Sequence, residues 1–422
     1  MSRVKLREIG TFKNGLNFSA DRVSEGCKMI GIPDFGNRYF ADFSNLSEVD
    51  SGIVPDECTL KDGDILFVRS NGNKALVGRT MIISGISERI TFSGFCIRFR
   101  PNGEIAIPLY LLLLFKSPLF RKRFSNTQQT SINNINQEVL GEVEIELPSK
   151  DEQQKTIDCI YPIIRKIEIN NAVNDNLQQQ LRLMYDYWFT QFDFPDGNGN
   201  PYKSSGGLMV WNEQLNQKIP SGWCVGTVRD CVNRIATGLN PRDNFTLGLG
   251  SIKYLTVKNL TFSGAIDFSN CDTVNESARN TIHRRSDVRP GDILFASIAP
   301  LGRCHLIQEE PKGWDINESI FSVRPNLDTI SAELLYAYFT SEAFIKGATY
   351  SSTGSVFKGI RINTLLDSQM LIPPLSVSCA FSSIVRRLLL QTNINMNESA
   401  QLTKLREWLL PMLMNGQATI SD

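Results

Sequence analysis

Histidine is almost absent from this chain: 422 residues contain only His283 and His305. A Cys/His zinc site therefore lacks ligands, and Ser/His/Asp catalysis lacks a well-placed base. His283 stands beside Arg284 and Arg285, and His305 follows Cys304 in a strand-like run, so both read as surface or core residues. Nine cysteines are scattered along the chain with no Cys-x-x-Cys pair. That pattern suits reduced thiols of a cytosolic protein better than a disulfide framework. No glycine is followed by lysine, which excludes a P-loop, and no Gly-x-Gly-x-x-Gly opens a helix. An Asn/Asp-Pro-Pro-aromatic tetrad is missing too, so amino-methyl transfer is not expected of this chain. The longest apolar run, residues 107–115, is too short to span a bilayer, and the first ten residues hold no apolar signal core. Lys+Arg and Asp+Glu are 44 each, so no net field steers the molecule to a polyanion. These absences lead to the expectation of a soluble, cytoplasmic protein.

What is present is a repeat of two long halves. Gly63-Asp64-Ile65-Leu66-Phe67 recurs as Gly291-Asp292-Ile293-Leu294-Phe295. Asn14-Gly15-Leu16-Asn17 is matched by Thr237-Gly238-Leu239-Asn240, the run 110–120 by 334–344, and Leu147-Pro148 by Ile372-Pro373. The matches keep their order at offsets of 223–228 residues, so one unit is written twice, with a pseudo-two-fold axis as its natural arrangement. Each half opens with a strand-rich α/β (α+β) domain, 1–148 and 219–374. Short β-rich runs lie between Gly/Asn/Asp turns there, and a helical stretch over 109–124 breaks at Pro118. Residues 193–218 form a connector rich in Gly, Pro, Asn and Ser. Its aromatic residues Phe194, Tyr202 and Trp211, with Phe192 just before it, should pack it down. A tail occupies 416–422.

A long helix follows each domain, over 149–192 and 375–415. Ser149 is the expected N-cap of the first, with Glu152 at capping-box spacing. Its seam reads Ile157, Ile160, Ile164, Ile167, Asn171, Leu181, Tyr185 and Trp188. The second reads Phe381, Ile384, Leu388, Asn395, Leu402, Leu405, Leu409 and Met412, with its apolar members taken 224 residues after their counterparts. The middle turns polar in both, through Asn171, Asn174 and Gln178 and through Gln391, Asn395 and Glu398. Apolar ends with a polar middle imply that the helices pair with one another as an antiparallel coiled coil and fix register by the polar layer. Pro162 and Pro411 lie inside the pattern and should kink it.

The acid of each Gly-Asp-Ile-Leu-Phe run invites a catalytic reading. The simpler one is a turn that launches a core strand, with Asp64 and Asp292 bonding turn amides. Nucleic-acid chemistry appears instead in the polar loops. Arg69, Asn71, Asn73 and Lys74 follow the first such strand, while Gln128, Gln129 and Asn133 precede the first long helix. Ser355, Lys358 and Arg361 stand at the matching place in the second half, beside Asn240, Arg242, Ser297 and Arg303. Arg121 and Lys122 belong to a small basic cluster. Arg, Lys, Asn and Gln read base edges, while Ser and Thr bond phosphates. Residues 1–150 hold 19 basic and 17 acidic side chains, so one domain alone would bind weakly and two tied together would gain by effective concentration.

At this point the chain resembles the specificity subunit of type I restriction–modification systems over nearly its whole length. The connector Phe194-Pro195-Asp196-Gly197-Asn198-Gly199-Asn200-Pro201-Tyr202 with Met209-Val210-Trp211-Asn212, the two Gly-Asp-Ile-Leu-Phe runs and the ending Leu409-Leu410-Pro411-Met412-Leu413-Met414-Asn415-Gly416 carry the likeness. The resemblance implies two target recognition domains separated by an antiparallel helix pair. It implies a non-catalytic subunit that reads a bipartite double-stranded DNA target, one half-site per domain, with the gap set by the helices. Two modification subunits and the restriction (motor–nuclease) subunits would bind S-adenosylmethionine, ATP and Mg, leaving no cofactor or metal on this chain. Recognition domains vary widely in this family, so base-contacting residues do not carry over. Two rivals stay open on the residues alone: a self-contained methyltransferase or nuclease, and a protein-binding scaffold.

Overall fold

The computed structural model describes residues 2–17, 26–36, 38–72, 76–125, 135–269, 271–350 and 359–414. The first half runs β1 (Ser2–Lys5), β2 (Gly10–Asn14), β3 (Cys27–Ile30), β4 (Ser47–Val49), β5 (Ile65–Val68), β6 (Thr80–Ile82), β7 (Ile90–Phe92), β8 (Cys96–Pro101), α1 (Pro108–Lys116), α2 (Pro118–Ser125), α3 (Gln137–Gly141), β9 (Glu144–Leu147) and α4 (Lys150–Tyr185). A hairpin follows, β10 (Met209–Asn212) with β11 (Gln217–Pro220). The second half runs β12 (Cys224–Thr227), β13 (Val232–Thr237), β14 (Ile252–Leu255), β15 (Asp272–Val274), α5 (Glu276–Ser286), β16 (Ile293–Ala296), β17 (Cys304–Leu306), β18 (Trp314–Ile316), β19 (Ile320–Pro325), α6 (Ala332–Thr340), α7 (Glu342–Tyr350), α8 (Ile362–Leu366), β20 (Gln369–Ile372) and α9 (Leu375–Met414).

The duplication holds strand by strand. The first half forms a four-stranded antiparallel sheet in the order β2-β8-β5-β6, a three-stranded sheet β4-β3-β7 and a ribbon β1-β9. The second forms β13-β19-β16-β17, β15-β14-β18 and β12-β20. The parallel pairing between named strands recurs too, as β3 with β7 and β14 with β18. Helix α5 is matched at its place in the first half only by two single-turn 3-10 helices, Ser51–Ile53 and Asp56–Cys58.

Two compact units share the chain. Unit 1 comprises residues up to Glu168 together with those from Ala400, and unit 2 comprises Ile169–Ser399. Each is built around the same aromatic trio. In unit 1 the Phe115 ring lies 5.1 Å from Phe67 and 4.7 Å from Phe120. In unit 2 the Phe339 ring lies 5.4 Å from both Phe295 and Phe344. Such pairs add about 0.5–1.5 kcal/mol each beyond the area they bury. They dock the helix after the sheet onto the Gly-Asp-Ile-Leu-Phe strand, which accounts for the strength of that match.

The turn before that strand is structural. Gly63 and Gly291 have φ of +87° and +88°, which glycine adopts without strain. Asp64 is buried and accepts from the Lys61 amide at 2.8 Å and from Arg100 Nε and Nη2 at 2.7 Å each. Asp292 accepts from the Arg289 amide at 3.0 Å and from Arg324 Nε and Nη2 at 2.8 and 2.9 Å. The forked arginine partners, on β8 and β19, are the part the sequence did not announce.

Ser149 and Glu152 form the expected capping box on α4. The helix runs on through Pro162 without interruption, ending in a π-helical turn over Asp186–Thr190, and α9 likewise contains Pro411. Each long helix is tied to its domain by the same bond. The Ile107 amide donates to Gln153 Oε1 at 2.8 Å, and the Ser331 amide to Ser378 Oγ at 2.9 Å.

Helix pairing is antiparallel where unit 2 contains it. Asn170 meets Asn395, Glu398 and Ser399, Asn174 meets Thr392 and Asn395, and Trp188 meets Phe381. In unit 1, Ile157, Ile160 and Ile164 share a core cluster with Leu409, Leu410, Leu413 and Met414. The seam needs correction at several positions. Asn171 is exposed, and its neighbour Asn170 is the buried one. Two adjacent asparagines look alike to a hydropathy pattern. What selects Asn170 is its three acceptors on α9. Ile384 and Leu405 are also exposed, while Val385, Leu389 and Leu410 are buried. The cause is a change of offset. Helices α1 and α6 begin 224 residues apart, at Pro108 and Ala332, whereas β9 and β20 begin 225 apart, at Glu144 and Gln369. Carrying 224 into the long helices therefore shifts the second seam by one residue. Ile167, Leu388, Leu402 and Leu409 are half-buried flanks, and Leu181 and Phe381 are buried as expected.

The connector packs down in unit 2 through Phe192 and Phe194 against Trp223, with Tyr202 stacked on Phe194 at 4.6 Å. Trp211 does not join them; it is exposed on β10. All nine cysteines are free, and no helix among the described residues is long and apolar enough to cross a membrane.

Candidate nucleic-acid interface

In each unit the ends of several strands converge at one edge of the main sheet. Gly15 follows β2 and lies so close to the β7–β8 turn that a Cβ there would meet Ser93 O at 2.2 Å. Gly238 follows β13, and its Cβ would meet Ile316 O at 1.7 Å. Only glycine fits either place, which explains the paired Asn-Gly-Leu-Asn and Thr-Gly-Leu-Asn motifs. The Leu16 amide then donates to Phe92 O at 2.9 Å and the Gly94 amide to Leu16 O at 2.7 Å, pinning the turn 93–95.

The loop after β5 is rooted on that turn. The Arg69 amide donates to Phe95 O at 2.8 Å, Arg69 Nη1 reaches Gly94 O at 3.4 Å, and the Ile135 amide donates to Arg69 O at 2.8 Å. Unit 2 repeats the plan: the Ser297 amide donates to Ser319 O at 3.0 Å, and the Ile360 amide to Ser297 O at 2.8 Å. Both candidate loops of each half are thereby rooted side by side: the one after the Gly-Asp-Ile-Leu-Phe strand and the one before the short helix α3 or α8.

In unit 1 this edge carries shallow hollows of about 520 and 400 Å³. Ile32 and Phe95 line both, with Asn45 and Ser47 in the larger and Ser70 and Asn71 in the smaller. Phe95 is 59% exposed in the turn that carries the chain from β7 in one sheet to β8 in the other. An aromatic face ringed by amides and hydroxyls can stack on or hydrogen-bond a nucleotide. Phe95 and Asn45 were missed in the sequence. The signal available for Phe95 was a large apolar residue after Ser93-Gly94, in a turn where a core residue has no place.

Cations gather beside the same loop. The Val68 amide donates to Arg79 O at 2.8 Å, so Arg79 closes the loop that Arg69 opens. Arg79 Nη1 donates to Gly36 O at 3.0 Å. Lys116 Nζ lies 4.6 Å from the centre of the Tyr39 ring and donates to Arg38 O at 2.7 Å, and the Arg406 guanidinium lies 5.4 Å from the same ring. Burial first, then Arg121, Arg406 and Arg79, bring the Lys116 amine down to about 7. Arg121 is half-buried within this group, and burial and Arg79 lower its pKa.

The remaining candidates divide. Asn71 is half-buried at the loop, and Arg242 and Arg361 are exposed in unit 2, Arg361 at the start of α8. Asn240 is half-buried, with its carbonyl taken by Asn244 Nδ2 at 3.0 Å. Ser297 is corrected to a structural residue, because it is buried and its hydroxyl donates to Ser319 O at 2.7 Å. Arg303 is likewise committed inward. Its guanidinium donates to Val257 O at 2.8 Å, Pro300 O at 3.3 Å and Ile298 O at 3.5 Å, and burial lowers its pKa. Asn73, Lys74, Gln128, Gln129, Asn133, Ser355, Lys358 and the side chain of Lys122 lie outside the described residues. His305 is buried with Nδ1 2.7 Å from Gly264 O, and burial lowers its pKa. His283 Nδ1 lies 3.1 Å from Asp315 Oδ2. Among the described residues no His, Cys, Asp and Glu cluster is arranged to hold a metal ion.

A duplicated sheet unit with polar loops rooted at one edge, each copy followed by one of two long paired helices, defines a two-domain recognition protein. Residues 1–179 match the family model described as the type I restriction modification DNA specificity domain. The chain is 24% identical over 327 residues to the type I restriction enzyme MjaIX specificity subunit of Methanocaldococcus jannaschii, covering 74% of this chain and 69% of that one. It is 22% identical over 414 residues to the HindI specificity subunit of Haemophilus influenzae, covering 85% and 87%. A crystal structure of a type I restriction–modification S subunit from M. genitalium shares the fold, with a TM-score of 0.56 at 15% identity over 98% of this chain and 95% of that one. Residues 1–179 thus carry the likeness to the DNA specificity domain, and over most of its length the chain is similar to specificity subunits of type I restriction–modification systems.

Proposed function

We propose that the chain is the non-catalytic subunit that reads a bipartite DNA sequence, one half-site per unit, with the gap set by the length of the paired helices. The observation that carries this reading is the repeated loop edge. Each unit roots its two polar loops on the same turn, through equivalent amide bonds at Arg69 and Ser297. Two similar but non-identical edges suit two different half-sites. S-adenosylmethionine, ATP and Mg then belong to two modification subunits and to restriction subunits that assemble with this chain. The dismissed Asp64 and Asp292 fit that division, since both carboxylates are spent on arginine forks.

The test is a seven-residue insertion into each long helix at facing positions, after Asn174 in α4 and after Gln391 in α9, which leaves the contacts of Asn174 with Thr392 and Asn395 on one side of both insertions. Seven residues keep the seam in phase and add about 10 Å of rise. Duplexes selected by the assembled complex should then show the gap lengthened by about three base pairs at 3.4 Å each, with both half-sites unchanged. Unchanged spacing at unchanged affinity would refute the ruler.

A further inference from the structure

In unit 1 the outer edge of β6 is covered by the chain itself. The Ile82 amide donates to Tyr39 O at 2.9 Å, and Ile82 O accepts from the Ala41 amide at 3.0 Å. Phe40, between them, forms a parallel bridge with Ile82. Its ring lies 6.1 Å from that of Tyr161 and 5.8 Å from the Arg165 guanidinium, both on α4.

The repeat identifies the same three positions in unit 2. Strand β17 takes the place of β6, so Leu306 stands for Ile82, paired with Ile293 as Ile82 is with Ile65. Helix α9 stands for α4 at an offset of 225 residues, so Arg386 and Leu390 stand for Tyr161 and Arg165. Leu306, Arg386 and Leu390 together line a groove of about 800 Å³. Among the described residues no segment of unit 2 lies in it as Tyr39–Ala41 lies in unit 1; the counterpart Gly264–Ile266 meets β17 at His305 instead, where Gly264 O lies 2.7 Å from His305 Nδ1.

Three features suit this groove to a guest. First, Leu306 turns its backbone outward. The Ile307 amide bonds Asp292 O and the Ala296 amide bonds Arg303 O, and the alternation of an antiparallel ladder then points the Leu306 N–H and C=O away from β16. Among the described residues neither group has a hydrogen-bond partner. Second, the walls are apolar and open, with Leu390 52% and Leu327 65% exposed. Third, the charge at the floor is already paired. Arg386 Nε donates to Glu333 Oε1 at 2.8 Å, and Ser382 Oγ to Glu333 Oε2 at 2.5 Å.

We propose that this groove docks an extended segment of a partner polypeptide, which adds to β17 at Leu306 and lays an aromatic side chain against Arg386 and Leu390. The chain's own Tyr39–Ala41 shows the chemistry required: a strand that bonds one edge residue twice, with a phenylalanine between the two bonds. Main-chain pairing supplies affinity, and the pocket for the central ring supplies selectivity. An open edge strand beside exposed leucines is otherwise a liability that folded proteins cover.

The probe is a fluorescent peptide with the sequence of residues 38–44, titrated into the full chain and followed by anisotropy. Saturable binding is expected. It should weaken at least tenfold with Leu390→Glu in the protein, with Phe40→Ala in the peptide, and with N-methylation of the peptide's Ala41 amide. Leu390 is a helix-surface residue, so its replacement leaves the fold intact, which circular dichroism checks. Leu183→Glu, at an equally exposed leucine of α4 in unit 2, should leave binding unchanged. Absence of saturable binding, full binding to Leu390→Glu, or equal loss with Leu183→Glu would overturn the docking site. Full binding of the N-methylated peptide would overturn the strand pairing.

Discussion

Asn395 Nδ2 donates to Asn174 Oδ1 at 2.9 Å across the two long helices of unit 2, and both side chains are buried. Asn170 adds a second crossing, to Asn395 O at 3.3 Å and Glu398 Oε2 at 2.9 Å. A buried amide left without its partner costs about 1–3 kcal/mol, whereas removing both partners can be nearly neutral. Asn174→Leu alone should therefore lower stability by about that amount in urea unfolding. The double variant Asn174→Leu, Asn395→Leu should recover part of the loss while letting the helices slip in register. Additive losses in the double variant would show that the two amides do not act as a pair.

The carboxylates of the repeated turn give a sharper separation of structure from recognition. Asp292 is held by both arms of Arg324, which also donates to Asp287 O at 2.6 Å and whose pKa is raised first by the bond to Asp292. Breaking a buried pair by removing one partner costs on the order of 3 kcal/mol. Arg324→Met should lower the unfolding midpoint strongly. Base preference of the surviving folded protein should stay as in the unaltered chain. A changed half-site at unchanged stability would instead put Asp292 among the DNA contacts.

Much of this architecture was legible because the chain is written twice. The aromatic trio, the turn glycines and the capping box each left a sequence trace, since each demands one residue type at one place. The helix seam was legible only to within a residue. Ile384 and Val385 are both apolar, Asn170 and Asn171 are identical, and the extra residue that shifts the offset falls between α1 and β9, away from any motif. Arg100 and Arg324 escaped notice because a strand arginine looks solvated until its sheet brings it to a buried aspartate. Phe95, Asn45 and Asn71 meet only after three strands have assembled, so no local pattern joins them. Ser297 and Arg303 looked like DNA contacts by residue type. Their groups are spent on backbone carbonyls, which residue type does not reveal.

Lys116 should make unit 1 sensitive to pH. Its amine is held at about 7, well below the 10.5 of a free lysine, by burial and by Arg121, Arg406 and Arg79. Between those two values the unfolded chain binds a proton that the folded one does not, so stability rises with pH across that window. Below about 7 both states are charged, and the folded state bears the cost of a buried ammonium. Thermal unfolding should show a midpoint that climbs from pH 7 to pH 9. Lys116→Met should flatten this climb and raise stability most near pH 7. An unchanged slope in the variant would mean that the amine is solvated and charged throughout.

Base reading and phosphate contact should separate within unit 1. Asn71 and Phe95 line one hollow at the loop edge, whereas Arg121 lies in the group around Lys116 beyond Arg79. An amide paired to a base edge is worth about 1–3 kcal/mol of discrimination, while a cation on phosphate weakens all sequences alike. In the assembled complex, Asn71→Ala and Phe95→Ala should relax one half-site and leave the other as it was. Arg121→Ala should weaken binding to every duplex evenly and reduce the slope of log affinity against log salt by about one. Phe95 is largely exposed, so its loss should leave the unfolding midpoint in place. Selection of duplexes from a random pool, repeated at two salt concentrations, reads all three quantities together. If Asn71→Ala and Phe95→Ala both keep the original half-site and the original salt slope, the edge bearing Arg69 and Asn71 faces away from DNA. Recognition by unit 1 would then have to come from another face of its sheet.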